Sequence, residues 1–292
     1  MASDFVSSKQ ECCGAALSRI GFSLYFDGAR TRLNSGFRTV FSVIFDFTFF
    51  ALAIPAVIFA GISKGGFGSG AAFASASILA LVFPPAIAIG VMLPLLMLMD
   101  VGSLRPYWRK WDWQLSKYVL IGCLPGVVLA SLLYKATDPD VFRFLIGVIS
   151  LAFVAWQIGN ELGWITKRSR PIGRVGGMIA GATGGFTSFI SHAGGPPVAV
   201  YLLSHPVSKT SYQASTVLIF AVINLTKAVP YTYLVIFSKQ TLLADLYLAP
   251  FALIGVWIGV RAHYMIPEKA FFRLTYVLLV LTGSKLIWDS LT

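Results

Sequence analysis

The chain is poor in charged residues, and this shortage limits the kind of protein it can be. Of its 292 residues, 12% are charged and 57% are hydrophobic, whereas a soluble domain has about 25% charged residues. Acidic residues are fewer than basic ones, with 12 Asp and Glu against 23 Lys and Arg, and the formal net charge is +11. The basic residues lie between long apolar runs, where the positive-inside rule explains them better than nucleic-acid binding does. We expect a membrane protein with no nucleic-acid partner.

Cysteine and the common catalytic motifs are also scarce. The three cysteines are Cys12, Cys13 and Cys123, and this spacing gives neither a disulfide framework nor a metal site. The sequence contains no Gly-x-Ser-x-Gly elbow, Walker A motif or His-Glu-x-x-His helix. We therefore expect no metal, no cofactor and no enzymatic activity; an intramembrane enzyme using His192 and a serine is the alternative.

Long apolar runs predict an all-α polytopic membrane protein. A transmembrane helix needs about 20 mostly apolar residues, because lipid offers no partner to the backbone. Between Phe41 and Asp100 the only charges within the run are Asp46 and Lys64, and the run divides near 41–63, 66–83 and 86–104. Further uncharged runs cover 118–134, 144–160, 175–204, 210–226, 228–238, 246–260 and 274–284. We predict about eight transmembrane segments, two of them interrupted.

The basic clusters suggest an orientation. Residues 1–40 are basic, lack a cleavable signal and are interpreted as a cytoplasmic N-terminal arm. A second cluster contains Arg105, Arg109, Lys110 and Lys117, and a third occupies the linker 161–173 and Arg174. If all three clusters are cytoplasmic, an even number of crossings separates each pair. This leaves six basic residues on the far side: Lys135, Arg143, Lys209, Arg261, Lys269 and Arg273.

Short motifs recur about 120 residues apart and indicate an internal repeat. Gly65-Gly66-Phe67 reappears as Gly184-Gly185-Phe186, the segment 100–107 aligns with 224–231, and Gly126 aligns with Gly255. The predicted organisation is an arm at 1–40, a first transmembrane repeat at 41–160, a linker at 161–173 and a second repeat at 174–292. The basic loops favour parallel halves; a re-entrant hairpin at each break would make them inverted.

Two glycine-rich stretches, 61–70 and 181–197, interrupt helices inside apolar surroundings. Broken helices at matching positions of two halves indicate a transport site, because the free N–H groups and the dipole of a half-helix attract anions. The alternative is that the glycines only allow close helix packing.

Ionisable side chains within the spans are the other candidates, because their burial is costly. Lys64 and Lys227 would offset the charge of an anion, or instead reach an interface, and Asp100 and His192 are candidates for proton coupling. The predicted substrate-binding residues are Lys64, Gly65, Gly66, Ser69, Gly70, Thr183, Ser188, Ser191, His192, Gly194, Gly195, Asn224 and Lys227.

Four motifs together resemble the sulfite exporter TauE/SafE family. They are Gly65-Gly66, the run from Pro94 to Asp100 followed by 107–112, the element 192–197 and the segment 224–227, and the resemblance covers about residues 45–289. It implies an anion permease for sulfite, sulfoacetate or related small sulfur-containing anions.

We therefore expect a secondary transporter that works by alternating access. Its expected location is the cell membrane, in particular a bacterial inner membrane. Its expected partners are a small anionic substrate and the lipid bilayer. A non-transporting membrane scaffold or assembly factor, and an anion channel, are the alternatives.

Overall fold

All regular secondary structure in the described part of the chain is helical, as expected for an all-α membrane protein. The computed structural model describes residues 47–67, 72–136, 138–164, 171–265 and 268–292. These residues form ten α-helices and one π-helical turn, Ser63–Phe67, with no strand among them. The predicted N-terminal arm, 1–40, lies outside these ranges.

The helices follow one order twice: a broken helix, then three longer helices. The bounds are α1 Phe47–Ile62, α2 Phe73–Ala80, α3 Pro85–Leu104, α4 Trp113–Ala136, α5 Pro139–Glu161, α6 Arg174–Ser191, α7 Gly195–Leu203, α8 Lys209–Tyr233, α9 Lys239–Met265 and α10 Glu268–Leu291. The π turn extends α1 and precedes α2, and α6 is broken from α7 by His192–Gly194.

Six helical segments of the described ranges are long and apolar enough to cross a membrane. They are 47–67, 85–104, 113–136, 139–159, 209–233 and 239–263. The predicted number of about eight is therefore not confirmed. The helices that are not among these six are α2, α6, α7 and α10. The runs 210–226 and 228–238, which were predicted separately, belong mostly to the single helix α8.

Each broken helix is a hairpin that returns toward the end from which it entered. In the first hairpin, Ser75 Oγ of α2 donates to Ala56 O of α1 over 2.6 Å. In the second, a Cβ on Gly177 of α6 would lie 2.7 Å from the ring of Tyr201 of α7. His192 ends α6 in a left-handed conformation with φ 58°, and prolines occupy the start of α7. Such a helix end followed by proline favours a sharp change of direction.

Helices at equivalent places of the two halves run antiparallel. Asp100 of α3 meets Asn224 of α8, and nearer the start of α3 a Cβ on Gly90 would contact Ile236, beyond the end of α8. Likewise Gly147 of α5 packs against Gly283 of α10, while Gln157 bonds Tyr276. The halves are therefore inverted. The basic-loop interpretation that favoured parallel halves is wrong, because each hairpin returns instead of crossing.

One end of the bundle, called here the basic end, contains residues 105–112, 171–174 and 204–209. Ile172 N donates to Ser204 Oγ over 3.1 Å and Asp112 N donates to Ser215 Oγ over 2.9 Å, which joins these segments. Lys209 also lies here, bonded to His263 O over 3.0 Å. The expectation that Lys209 and Arg261 occupy the far side is thus wrong, since α9 runs toward the basic end.

Glycines let the broken helix of each half pack closely against one long helix of the other half: α1 packs against α9, and α6 packs against α4. A Cβ on Gly61 of α1 would lie 2.7 Å from Ala252 O of α9, and one on Gly185 of α6 would lie 2.6 Å from Cys123 O of α4. The two contacts are equivalent in the repeat: Gly61 and Gly185 are 124 residues apart, and Cys123 and Ala252 are 129 residues apart. The packing interpretation of the glycines therefore holds for Gly61 and Gly185.

Candidate functional site

A buried ion pair lies where the first hairpin meets α3. The π turn turns Lys64 into the protein, where its ammonium pairs with the Asp100 carboxylate and donates to Leu96 O over 3.2 Å. Asn224 Nδ2 donates to the other carboxylate oxygen of Asp100 over 2.7 Å. A buried ion pair is tolerated when further hydrogen bonds satisfy its remaining atoms, as they do here.

Lys227 lies at the break of the second hairpin, and no part of it is exposed (0%). Its Nζ donates to Ser188 O over 3.0 Å and to Ser188 Oγ over 2.9 Å, and it lies 2.9 Å from His192 Nδ1. When Lys227 is protonated, His192 Nδ1 is the acceptor of this contact, and Nε2 then carries the proton toward Ile89 O at 3.2 Å. The three protons of this ammonium therefore have three neutral acceptors.

The basic and acidic residues of this cluster are not equal in number. The cluster contains two lysines, Lys64 and Lys227, and one carboxylate, Asp100. The other contacts are made by Asn224, Ser188 and His192, which supply no carboxylate. The narrow gap that Lys64 and Asp100 share with Thr216, Val217 and Phe220 is too tight to hold a water molecule. The cluster is thus a closed site that contains more lysines than carboxylates.

Side chains distant in sequence hold the carbonyl groups of the first break. Tyr107 OH donates to Gly65 O over 2.8 Å, Gln213 Nε2 donates to Lys64 O over 2.8 Å, and His263 Nδ1 donates to Gly66 O over 2.6 Å. In the second hairpin, Tyr231 OH donates to Phe189 O over 2.7 Å. Sequence reasoning missed these four residues as site residues; the shared Pro-Tyr of the repeat was the available signal for the two tyrosines.

These two tyrosines also fix the register of the repeat. Tyr107 and Tyr231 are 124 residues apart, and they bond Gly65 and Phe189, which are 124 apart as well. The glycine motif had aligned Gly65 with Gly184 instead. That alignment is wrong by five residues, because similar glycines serve helix packing at different levels of the two hairpins.

The remaining predicted residues are distributed unevenly around the cluster. The backbone of α9 covers Gly65 and Gly66, and Gly194 packs against Gly184 O and Phe220. Ser191 Oγ bonds Thr187 O within its own helix. Thr183 is exposed and bonds Ile179 O, so it lies away from the site. Ser69 and Gly70 lie outside the described residues.

A cavity of about 570 Å³ reaches from the basic end to the π turn. The residues that define it here are Gly66, Trp156, Gly195, Lys209, Gln213 and Tyr276. Gln213 connects the cavity to the closed site, because it lines the wall and bonds the carbonyl of Lys64. Volumes of about 300–1,000 Å³ are typical of small-molecule sites. Of the predicted residues, Gly66 and Gly195 line this cavity.

Aromatic rings close the opposite end of the second hairpin. Phe189 packs edge-on against Tyr231 with ring centroids 4.9 Å apart, and Tyr134 packs against Phe142 at 4.8 Å. Phe237 lies 5.8 Å from Tyr231 by the same measure. The bundle therefore has a cavity at the basic end and tight aromatic packing at the other.

Comparison with known proteins gives one family. The family model described as "Sulfite exporter TauE/SafE" matches residues 53–286, most of the chain. No curated protein and no solved structure matches the chain. The match includes all of the closed site and the described wall of the cavity. In the described ranges no group of three His, Cys, Asp or Glu could hold a metal ion.

Proposed function

Since the chain belongs to the sulfite exporter TauE/SafE family, we propose that this multi-pass membrane protein is a secondary transporter of small sulfur-containing anions, such as sulfite or organosulfonates. It works by alternating access between the two ends of the bundle. The protein lies in a cell membrane, which we propose is a bacterial inner membrane. No nucleic acid takes part.

The observation that carries the proposal is that the contacts of buried Lys227 include no carboxylate, so that its protonated form has no counter-ion in direct contact. A buried charge is costly unless it is paired, and the acceptors of Lys227 are neutral. The neighbouring ammonium of Lys64 has Asp100 as its counter-ion. A small anion that entered the site would supply the missing negative charge, and the protonated lysines would repel a cation.

The route into the site is the cavity at the basic end. Its wall carries one residue of each charge, Lys209 and Glu161. The first break forms the floor, where Gly66 meets the cavity and Lys64 lies two residues before it in sequence. Opening the Gln213 contact would join the cavity to the closed site.

Inverted halves supply the second conformation. In transporters with inverted repeats, the site lies between the halves, and rocking of one half against the other changes the end that is open. The present arrangement has a cavity open to the basic end, which the Gln213 contact separates from the closed site, and aromatic packing at the other end; it is one of the two states. Asp100 and His192, which both contact a lysine of the site, are the groups proposed for proton coupling.

The test is flux in proteoliposomes that contain the purified chain. Uptake of labelled sulfite and of short organosulfonates should saturate with concentration, and Lys227→Met should reduce the rate by about tenfold or more, since about 1.4 kcal/mol of lost interaction has that effect. Lys285→Met is the control, because Lys285 is exposed and pairs with Asp289 away from the site. Flux without saturation would indicate a channel, and absence of flux for every small anion would indicate the scaffold.

A further inference from the structure

Ser103 carries a hydroxyl that has no hydrogen-bond partner among the described residues. It is fully buried (0% exposed) on α3. A buried polar atom without a partner is uncommon and calls for an explanation. Ser103 follows Leu96 and Asp100 on the same face of α3, by seven and three residues. These two residues are the ones that hold the Lys64 ammonium.

The repeat explains why a serine stands at this position. With the shift of 124 residues fixed by the tyrosines, Ser103 is equivalent to Lys227, and Lys64 is equivalent to Ser188. Each half therefore has one lysine and one serine at this pair of positions, in opposite order. In the second half the pair is in contact, with Lys227 Nζ 2.9 Å from Ser188 Oγ. In the first half Lys64 pairs with Asp100, and Ser103 remains alone.

We infer that Ser103 is a positioning residue for transport: it accepts the Lys64 ammonium in the conformation that is open at the opposite end. The inference rests on the proposed alternating access, in which the inverted halves exchange conformations. The first half then takes the arrangement that the second half has now. The contact between the lysine and serine positions moves from Lys227–Ser188 to Lys64–Ser103.

The movement required is small. Ser103 is three residues beyond Asp100, which is about 4.5 Å along the axis of α3 at 1.5 Å per residue. A lysine side chain spans such a distance by changing rotamers, with little backbone movement. Lys64 leaves the carboxylate for the hydroxyl, and Asp100 keeps the amide of Asn224 as a partner. The Lys64–Asp100 ion pair is then specific to the conformation that is open at the basic end.

The experiment measures the balance between the two conformations. Ala199→Cys places a thiol on the cavity wall, in a chain whose native cysteines are replaced by alanine, and a maleimide reports how often the cavity is open. Ser103→Ala removes an acceptor used only in the other conformation, so labelling should become faster. Ser188→Ala removes an acceptor used in this one, so labelling should become slower. Both variants should lower the maximal transport rate by several-fold.

Ser150→Ala is the matched control. Ser150 is a fully buried helical serine outside the site, and it bonds Ile146 O and Ser77. Its loss should lower thermal stability without changing the labelling rate, whereas Ser103→Ala should leave the stability of this conformation unchanged or higher.

Three results would overturn the inference: labelling and transport that are unchanged in Ser103→Ala, a labelling shift in the same direction as in Ser188→Ala, or a loss of stability like that of the control. Labelling requires no knowledge of the substrate. A parent protein that labels as expected yet transports no anion would therefore reject the proposed function separately, while the opposite shifts would still decide the role of Ser103.

Discussion

Asn224 Nδ2 donates to Asp100 Oδ2 over 2.7 Å, and the two residues occupy equivalent positions of the two halves. Equivalent residues of inverted halves meet only at the axis that relates them, so that axis passes between Asp100 and Asn224. Two carboxylates here would repel each other, whereas a carboxylate and an amide are complementary. The difference between the halves is therefore a condition for their contact.

The first prediction concerns the ion pair at this axis. Asp100→Asn leaves the Lys64 ammonium without a counter-ion in a buried place, and removing one partner of such a pair costs about 3–5 kcal/mol. The variant should unfold at a clearly lower temperature in detergent. The double variant Lys64→Met with Asp100→Asn removes the uncompensated charge and should recover most of the stability. Equal losses in the single and double variants would contradict this account.

The second prediction concerns helix packing at the first hairpin. Gly61→Ala places a Cβ 2.7 Å from the backbone oxygen of Ala252, so α1 and α9 must separate. Overpacking of this kind costs about 1–3 kcal/mol. Gly102→Ala is the matched control, since its nearest neighbours are side-chain atoms of Leu253 and Val256 at 3.5 Å, an ordinary contact. Thermal unfolding should separate the two variants; similar values would argue against tight packing at Gly61.

The third prediction compares the two equivalent tyrosines. Tyr107→Phe and Tyr231→Phe each leave a carbonyl of a hairpin, that of Gly65 or Phe189, without its hydroxyl donor. Each variant should lower the free energy of unfolding by about 1–3 kcal/mol, the cost of a buried unsatisfied group. Tyr233→Phe should have no effect, because Tyr233 is 83% exposed. A loss in only one of the two tyrosine variants would contradict the equivalent roles.

The fourth prediction concerns the side from which the cavity opens. An impermeant maleimide should label Ala199→Cys from the same side of the membrane as Lys110→Cys, which is exposed at the basic end. Lys239→Cys, exposed at the start of α9, should label from the other side. Ala130→Cys is the negative control, because Ala130 is fully buried. If Ala199→Cys were labelled from the same side as Lys239→Cys, the cavity would open at the end opposite the basic end, and the prediction would be contradicted.

Several features of the fold and the candidate site could be read from local patterns. The length of the apolar runs predicted the all-helical membrane class. The free-energy cost of burying ionisable side chains singled out Lys64, Asp100, His192 and Lys227. The structure brings these four into neighbouring contacts with Asn224 and Ser188. Their role in binding an anion stays a prediction. Thr183 was selected only because it lies in a glycine-rich stretch, and it faces away from the cluster.

Other residues could not be found in this way, because their contacts join distant parts of the chain. Gln213 bonds a carbonyl 149 residues earlier, and His263 bonds one 197 residues earlier. Neither has a neighbouring motif that marks it. The register of the repeat was also missed, since glycines recur wherever helices approach closely, and a glycine pattern cannot distinguish one level of a helix from another.

By itself, the sequence determined that the chain would be a helical membrane protein with two interrupted segments, because twenty apolar residues without charge have few other stable forms in lipid. It also placed two lysines where only a specific partner could compensate them. The tertiary structure alone decided that the interruptions are returning hairpins and that the halves are inverted. It also decided that one lysine has a carboxylate and the other has neutral acceptors. These facts depend on which helices lie side by side, and that choice is made by packing between segments more than a hundred residues apart.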